Sequence, residues 1–257
     1  MISAPELRTE TVEFRSDGTS VRAALARPPA RQSLLPGRAA GPGGAPAILI
    51  AHEWWGLTDH MRELAQRFAQ AGYAALVPDL YARQPGPPGT SGVAGGSKVT
   101  ADPAEAAQLM NELSSQLALR DLNAAAGFLK QQAFVDPQRV AIVGFSMGGT
   151  LALTQATHNS DLKAAVVFYG KVPPVESLAY LLCPVLYHYG AKDGWVTRQE
   201  VDRLRAGCAK LGKTAEIAIY PDADHAFFNA TRPDVYRAQD AARAWDRTLA
   251  FLGKHLG

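Results

Sequence analysis

Hydrophobic and polar positions alternate in two segments near the start of the chain. Thr9–Phe14 and Val21–Arg27 both follow this period of two, and Ser16-Asp17-Gly18 lies between them. A period of two on either side of turn residues predicts an antiparallel hairpin with one face exposed to water.

After the hairpin, short continuous apolar runs alternate with segments whose apolar residues recur every three to four positions. Continuous runs are typical of strands buried on both faces, and the second spacing is typical of helices packed on a sheet. The sequence therefore predicts an α/β fold with a mostly parallel central sheet, helices on both faces and an N-terminal antiparallel hairpin. The predicted strands are Ala47–Ala51, Ala74–Val77, Val140–Val143, Ala164–Tyr169, Val185–Tyr189 and Ala215–Tyr220, and the predicted helices are His60–Ala71, Pro103–Gln132, Gly148–Thr157, Gln199–Leu211 and Val235–His255.

Two stretches rich in glycine and proline interrupt this alternation. Pro28–Pro46 is expected to be a surface connection and not a domain boundary. Gln84–Ala101 follows a predicted strand, where ligands bind in open α/β sheets. It is either a lid or pocket wall, or an insertion without a role.

Length and charge narrow the class of protein. The 257 residues suit a single domain over 1–257 that is large enough to need no disulfide scaffold. The net charge of +2 gives no field strong enough to attract phosphates, which argues against nucleic acid as a partner. The absence of a long apolar run and of a signal peptide favours a cytoplasmic protein without a membrane partner.

One glycine-rich turn carries candidate chemistry. Gly144-Phe145-Ser146-Met147-Gly148 fits G-x-S-x-G between an apolar strand and a helix, the turn that exposes a nucleophilic serine. The N–H of Met147, at the start of the helix, is a candidate oxyanion donor. Without chemistry, the same sequence would be a tight strand-to-helix turn.

A serine nucleophile needs a base, and the base needs an acid to orient it. Asp193 and His225 each follow a predicted strand. They come after Ser146 in the order serine, acid, histidine that is typical of the fold in which this serine turn occurs. All three are therefore expected at the carboxyl-end edge of the sheet. Read singly, Asp193 could form only a local turn, and His225 could be a solvated loop residue.

The segment after the strand Ala47–Ala51 is His52-Glu53-Trp54-Trp55-Gly56, the place where this architecture supplies a second oxyanion N–H. The Trp54 N–H is the candidate. The paired tryptophans could wall a substrate pocket or pack a lid against the core. Glu53 could act on the nucleophile or pair with Arg83 for structural reasons.

These motifs resemble the dienelactone hydrolase (carboxymethylenebutenolidase) family of α/β-hydrolases, over about Thr9 to Leu256. The resemblance implies cofactor-independent hydrolysis of a small ester or lactone through an acyl-enzyme, and no metal site. It further implies that Arg83 holds a substrate carboxylate, that Glu53 contacts the resting nucleophile, and that Tyr169 lines the pocket. The residues that carry the resemblance are 52–56, Pro78-Asp79-Leu80-Tyr81-Ala82-Arg83-Gln84, the serine turn, Gly190-Ala191-Lys192-Asp193 and His225-Ala226-Phe227.

Two positions depart from the family pattern. Ser146 stands where the family's lactonases carry cysteine, and Asn229 stands where they place a second arginine. Both departures move the expectation towards a general short-chain carboxylesterase, unless Arg232 replaces the missing cation. A non-catalytic binding module on the same fold is the alternative of another class. The expected partner is a small molecule, and the expected state is a monomer or weak homo-oligomer.

Overall fold

The computed structural model describes residues 8–29, 44–84 and 98–257. Within these ranges eight strands form a mostly parallel sheet: β1 (Arg8–Ser16), β2 (Thr19–Arg27), β3 (Ala45–Ala51), β4 (Ala74–Pro78), β5 (Val135–Phe145), β6 (Leu162–Phe168), β7 (Val185–Gly190) and β8 (Ala215–Tyr220). Their hydrogen-bonded order is β1-β2-β4-β3-β5-β6-β7-β8. The helices are α1 (Asp59–Gln70), α2 (Pro103–Glu112), α3 (Ser115–Lys130), α4 (Met147–Gln155), α5 (Arg198–Lys210) and α6 (Ala238–Leu256), and a 3-10 helix spans Val175–Tyr180.

Contacts within the chain divide it into two compact units, Met1–Val140 and Ala141–Gly257, with the division inside β5. The single domain expected over residues 1–257 stays a prediction. The α/β fold with its N-terminal antiparallel hairpin is confirmed.

In the first unit, the N-terminal hairpin of β1 and β2 extends the sheet formed by β3 and β4. β1 and β2 pair antiparallel, with Ser16 opposite Thr19, and β2 pairs antiparallel with β4. β3 and β4 are parallel. Asp17 and Gly18, the two turn residues, have φ of 43° and 78°, the sign that a two-residue turn needs to match the twist of its strands.

One predicted helix is two helices. The sequence pattern predicts a single helix over Pro103–Gln132, but α2 ends before Leu113, whose backbone is extended, and Ser114 caps α3 by accepting a hydrogen bond from the Leu117 N–H. A serine hydroxyl that caps a new helix competes with continuation of the old one. The helical spacing of apolar residues runs through this break and concealed it.

The second unit carries the parallel strands β6, β7 and β8. α4 packs on β6, α5 on β8, and α6 on β6 and β7. His188 in β7 is fully buried and has a polar partner at each ring nitrogen: Tyr220 Oη at 2.9 Å and Thr248 Oγ1 at 3.0 Å. It is a hydrogen-bonded core residue.

The 3-10 helix Val175–Tyr180 was not predicted, because it is too short to show a period. Cys183 and Cys208 are both buried and not joined to each other. Residues 30–43 and 85–97, the greater part of the two glycine- and proline-rich stretches, lie outside the described residues.

The folded protein is expected to lose stability as the pH falls below about 6.5. Burial lowers the pKa of His52 and His60 from 6.5 to about 4 and that of His188 to about 3. The unfolded chain therefore takes up protons between pH 6.5 and 4 that the folded chain does not, and each pKa unit of difference corresponds to about 1.4 kcal/mol. The urea midpoint, measured at intervals from pH 7.5 to 5, should fall steadily below pH 6.5.

The variant His188→Gln keeps polar groups in the core but has no titratable ring. Its urea midpoint should depend less steeply on pH than that of the parent. An equal pH slope in the two proteins would contradict the assignment of this loss to buried neutral histidines.

Candidate active site

Ser146 lies in the turn between β5 and α4. Its φ of 54° and ψ of −118° are unusual for a residue with a Cβ, and such strain is typical of functional turns. The Ser146 N–H donates to Phe168 O at 3.0 Å, and the Ser146 carbonyl accepts the Thr150 N–H at 3.0 Å. The serine is thus fixed at the end of β5, with its backbone tied to β6 and to the first turn of α4.

The glycines around Ser146 allow backbones to approach closely. A Cβ on Gly144 would lie 2.0 Å from Gly148 O, and a Cβ on Gly149 would lie 2.7 Å from Phe168 O. A Cβ on Gly170 would lie 2.4 Å from Gly149 C. Packing therefore requires glycine at the first position of G-x-S-x-G and also at Gly149 and Gly170, outside the motif.

Ser146, His225 and Asp193 form one hydrogen-bonded chain. Ser146 Oγ lies 2.8 Å from His225 Nε2, and His225 Nδ1 lies 2.8 Å from Asp193 Oδ2. The Asp193 side chain is fully buried, and that of His225 is 26% exposed. Because an ionised carboxylate accepts only, Nδ1 carries the proton and Nε2 is left to accept the Ser146 hydroxyl hydrogen.

The two carboxylate oxygens of Asp193 have separate partners. Oδ1 accepts the N–H groups of Trp195 at 2.7 Å and Val196 at 2.8 Å, while Oδ2 faces His225. The local turn and the contact with His225 were alternatives in the sequence, and the structure contains both. The turn orients the carboxylate that orients the imidazole.

Two aromatic rings flank His225. The ring of Tyr169 lies edge-on at 5.0 Å between centroids, and that of Trp195 lies edge-on at 5.1 Å. Tyr169 is fully buried and has a φ of 42°. Trp195 was missed in the sequence, although its place two residues after Asp193 was the available signal.

The other candidate residues lie at the expected ends of strands. Met147 is the first residue of α4, while Glu53, Trp54 and Trp55 follow β3. Glu53 is buried, and the two tryptophans are half-buried and pack edge-on at 4.8 Å. The shared oxyanion site of Met147 and Trp54, and the roles of Glu53 and Trp55, stay predictions.

Arg83 is held by groups of the first unit. Its Nε and Nη2 donate to the two carboxylate oxygens of Asp121, at 3.0 and 2.7 Å. Nη1 donates to Thr19 Oγ1 and Nη2 to Ser16 O, both at 2.8 Å. The suggested pairing of Arg83 with Glu53 is therefore wrong. Asp121 is 1% exposed in the apolar stripe of α3, so it is the buried carboxylate that the guanidinium fork satisfies.

Asp121 could have been found in the sequence as a carboxylate among the apolar positions of a predicted helix. A cavity of about 160 Å³ opens beside the Arg83–Asp121 pair, lined also by Leu80 and Leu117.

Two further features of the described residues concern metal binding and membrane spanning. Among the described residues, no group of three or more His, Cys, Asp or Glu side chains could hold a metal ion. Nor does any helix in the described ranges have the length and apolar composition to cross a membrane.

Comparison with known proteins places this geometry in a family. The profile of the dienelactone hydrolase family matches residues 35–256. The chain belongs to the dienelactone hydrolase family. As a member of it, the protein is an enzyme that hydrolyses esters or lactones, with a small-molecule substrate.

Individual proteins similar to this dienelactone hydrolase family member support the same family assignment. A Methylorubrum extorquens protein named "Putative carboxymethylenebutenolidase" is 32% identical over 245 residues, which are 90% of this chain and 81% of the relative. The Aquifex pyrophilus protein usf is 30% identical and covers 96% of this chain and 99% of its own. A Klebsiella pneumoniae crystal structure, described as a "Putative Dienelactone Hydrolase", has a TM-score of 0.83 at 31% identity and covers 96% of this chain and 99% of its own.

Asn229 holds the position at which the dienelactone hydrolase pattern has an arginine. It is buried, and its Oδ1 accepts hydrogen bonds from the Thr231 N–H at 2.9 Å and the Thr231 hydroxyl at 2.6 Å. Arg232, the suggested replacement, pairs with Asp234 at 2.7 Å. Asn229 thus stabilises its own turn, and the Arg232 guanidinium is engaged by a neighbouring carboxylate.

Proposed function

We propose that the protein is a serine-dependent hydrolase of small esters or lactones that works through an acyl-enzyme. The observation that carries this proposal is the hydrogen-bonded chain from Ser146 through His225 to Asp193, with 2.8 Å at each step. A hydroxyl is a weak nucleophile at neutral pH, and this arrangement is the one that activates it.

In the first half of the reaction, His225 Nε2 removes the hydroxyl proton while Ser146 Oγ attacks the carbonyl carbon of the substrate. Asp193 keeps the imidazole in the correct tautomer and stabilises the imidazolium that forms. The N–H groups of Met147 and Trp54 bind the oxyanion of the tetrahedral intermediate. The imidazolium then protonates the leaving alkoxide, and the carbon–oxygen bond to it breaks.

In the second half, His225 removes a proton from water and the resulting hydroxide attacks the acyl-enzyme. The second tetrahedral intermediate collapses, the bond to Ser146 Oγ breaks, and the serine regains its proton. For a lactone the alcohol and the acid leave as one molecule, because the ring joined them. Tyr169, Trp55 and Glu53 are proposed to contact the substrate.

The remaining expectations follow the same proposal. The enzyme would act in the cytoplasm without cofactor or metal, as a monomer or weak homo-oligomer. The net charge of +2 supports the absence of a nucleic-acid partner, because it provides no strong field for phosphates.

Labelling with a fluorophosphonate tests the mechanism and separates it from a non-catalytic binding module. The reagent should phosphonylate Ser146 with loss of fluoride, and mass spectrometry of the peptide that contains Ser146 should show the adduct. Pre-incubation with a substrate ester should slow the labelling. An unlabelled Ser146 in a folded protein that hydrolyses esters would refute the serine mechanism.

A general short-chain carboxylesterase is the second candidate, favoured by the bonds of Arg83 to Asp121, Ser16 and Thr19. Arg83→Ala alone would leave Asp121 as a buried unpaired carboxylate, at a cost of about 3–5 kcal/mol. The double variant Arg83→Met/Asp121→Leu removes the pair without that charge. In it, kcat/KM should change by the same factor for a carboxylate-bearing lactone and for a neutral p-nitrophenyl ester.

This comparison discriminates between the two substrate classes. A loss at least ten-fold larger on the anionic lactone would assign Arg83 to the substrate carboxylate and favour a lactonase. Arg22→Met/Glu13→Leu, which removes an exposed ion pair on the strands of the hairpin without touching the turn that binds Arg83, is the matched control.

A further inference from the structure

The turn after β3 is held by side chains from two neighbouring segments. β3 ends at Ala51, and the turn closes when the Gly56 N–H donates to Glu53 O at 3.1 Å. Gly56 has a φ of 87°, and a Cβ there would lie 2.0 Å from Lys98 O. This hydrogen bond and the close contact at Gly56 define the turn, and two side-chain hydrogen bonds fix the direction of its carbonyl groups.

His52 fixes the carbonyl of Glu53. Its ring is fully buried, Nε2 lies 3.0 Å from Leu80 N, and Nδ1 lies 2.6 Å from Glu53 O. Since a backbone N–H only donates, Nε2 accepts from Leu80, and Nδ1 carries the hydrogen that it donates to Glu53 O. Burial lowers the pKa of His52 to about 4, so the ring keeps this neutral tautomer at neutral pH.

Tyr81 fixes the next carbonyl. Its hydroxyl donates to Trp54 O at 2.8 Å, and its buried ring packs edge-on to His52 at 5.2 Å between centroids. Burial raises the pKa of Tyr81, so the hydroxyl stays protonated as a donor. The two peptide groups that flank Trp54 are therefore held by His52, which follows β3, and by Tyr81, which follows β4.

A fixed carbonyl fixes the N–H of the same peptide group. The peptide unit is planar and trans, so the Trp54 N–H points opposite to Glu53 O and turns only if that carbonyl turns. Within the part of the chain that the structure describes, the Trp54 backbone N–H donates to no backbone or side-chain acceptor. The direction of the Trp54 backbone N–H is thus fixed, and the N–H remains available to donate to a substrate oxygen.

We propose that His52 and Tyr81 are positioning residues for the reaction. His52 holds the peptide group that carries the Trp54 N–H, and Tyr81 holds the peptide group that follows Trp54, so the backbone on both sides of Trp54 keeps the N–H in the direction that an oxyanion requires. The proposal rests on the proposed function, in which Trp54 is an oxyanion donor. Such a donor lowers the activation free energy because it already points at the oxygen before negative charge develops there. A donor that had to turn first would add the free energy of that reorientation to the barrier.

Tyr81→Phe is the sharpest test, because it keeps the ring and removes the hydroxyl that donates to Trp54 O. Its kcat for p-nitrophenyl acetate should fall by roughly ten-fold or more, less than the 10²–10³-fold that loss of a donor costs, with KM changed less than two-fold. His52→Leu should give a larger fall in kcat, and His52→Gln, whose amide can both donate and accept, should recover part of it.

A transition-state analogue separates positioning from general weakening of the fold. In a short trifluoromethyl ketone, Ser146 Oγ adds to the carbonyl carbon, its proton passes to His225, and the carbonyl oxygen becomes an oxyanion. In Tyr81→Phe the inhibition constant of this ketone should rise by the same factor by which kcat/KM falls. The Kd of the matching methyl ketone should not change.

Tyr220→Phe is the matched control, since it also removes one buried hydroxyl hydrogen bond, to His188 Nδ1. Its kcat and ketone inhibition should stay within two-fold of the parent. Unchanged kcat in folded Tyr81→Phe, or equal losses in Tyr81→Phe and Tyr220→Phe, would overturn the positioning role alone. Full turnover by Ser146→Ala would overturn the proposed function, and this role with it.

Discussion

Replacing Ser146 by alanine is expected to abolish turnover of short p-nitrophenyl esters, with a fall in kcat of about 10⁴-fold or more. The hydroxyl that lies 2.8 Å from His225 Nε2 is the proposed attacking group, and no other group of the triad can replace it. Steady-state kinetics on purified protein measure the loss.

The fold of this variant should be intact. Alanine accepts the same backbone strain that serine does at φ 54°, and the Ser146 N–H and carbonyl keep their bonds to Phe168 and Thr150. The circular dichroism spectrum and urea midpoint should therefore match those of the parent. Full activity in a preparation free of parent enzyme would refute Ser146 as the nucleophile.

Asp193→Asn is expected to lower kcat by about 10³–10⁴-fold while leaving the local turn in place. The amide oxygen can still accept the N–H groups of Trp195 and Val196, so the NH₂ group faces His225 Nδ1. The imidazole must then accept at Nδ1 and carry its proton at Nε2, where it cannot receive the Ser146 hydroxyl proton. Measurement of kcat at neutral pH tests this loss.

Asp222→Asn is the matched control. Asp222 is an aspartate three residues before His225, and it pairs with Lys192 at 3.1 Å on the surface. Its replacement should change kcat by less than two-fold. A comparable loss in Asp222→Asn and Asp193→Asn would contradict the choice of Asp193.

The sequence was sufficient to predict that three candidate residues lie together, because their positions at the ends of strands decide it. In parallel strands the carboxyl ends share one edge, so a serine, an aspartate and a histidine that each follow a strand are expected together. The hydrogen-bonded chain of Ser146, His225 and Asp193 has the geometry that this reasoning anticipates. The fold class was predictable for the same reason, because burial on both faces leaves continuous apolar runs.

Pairings between distant segments were not predictable. Nothing local in the sequence joins Arg83 to Asp121, which are 38 residues apart, or to Ser16 in the hairpin. A guanidinium can pair with a substrate carboxylate or with a protein carboxylate, and the sequence does not show that α3 places Asp121 beside Arg83. The break between α2 and α3 was also not predictable from the apolar spacing, because one serine hydroxyl, that of Ser114, starts the new helix and does not change that spacing.

The close packing at Gly144, Gly149 and Gly170 affects how a mutational survey of this enzyme would be interpreted. Every other amino acid brings a Cβ into a neighbouring backbone there, so these positions would score as intolerant as Ser146 in a selection for activity. None of the three has a side chain that could react. A parallel survey of protein abundance would separate the two kinds of position: variants at the glycines would be lost from the cell, whereas inactive variants at Ser146 would accumulate.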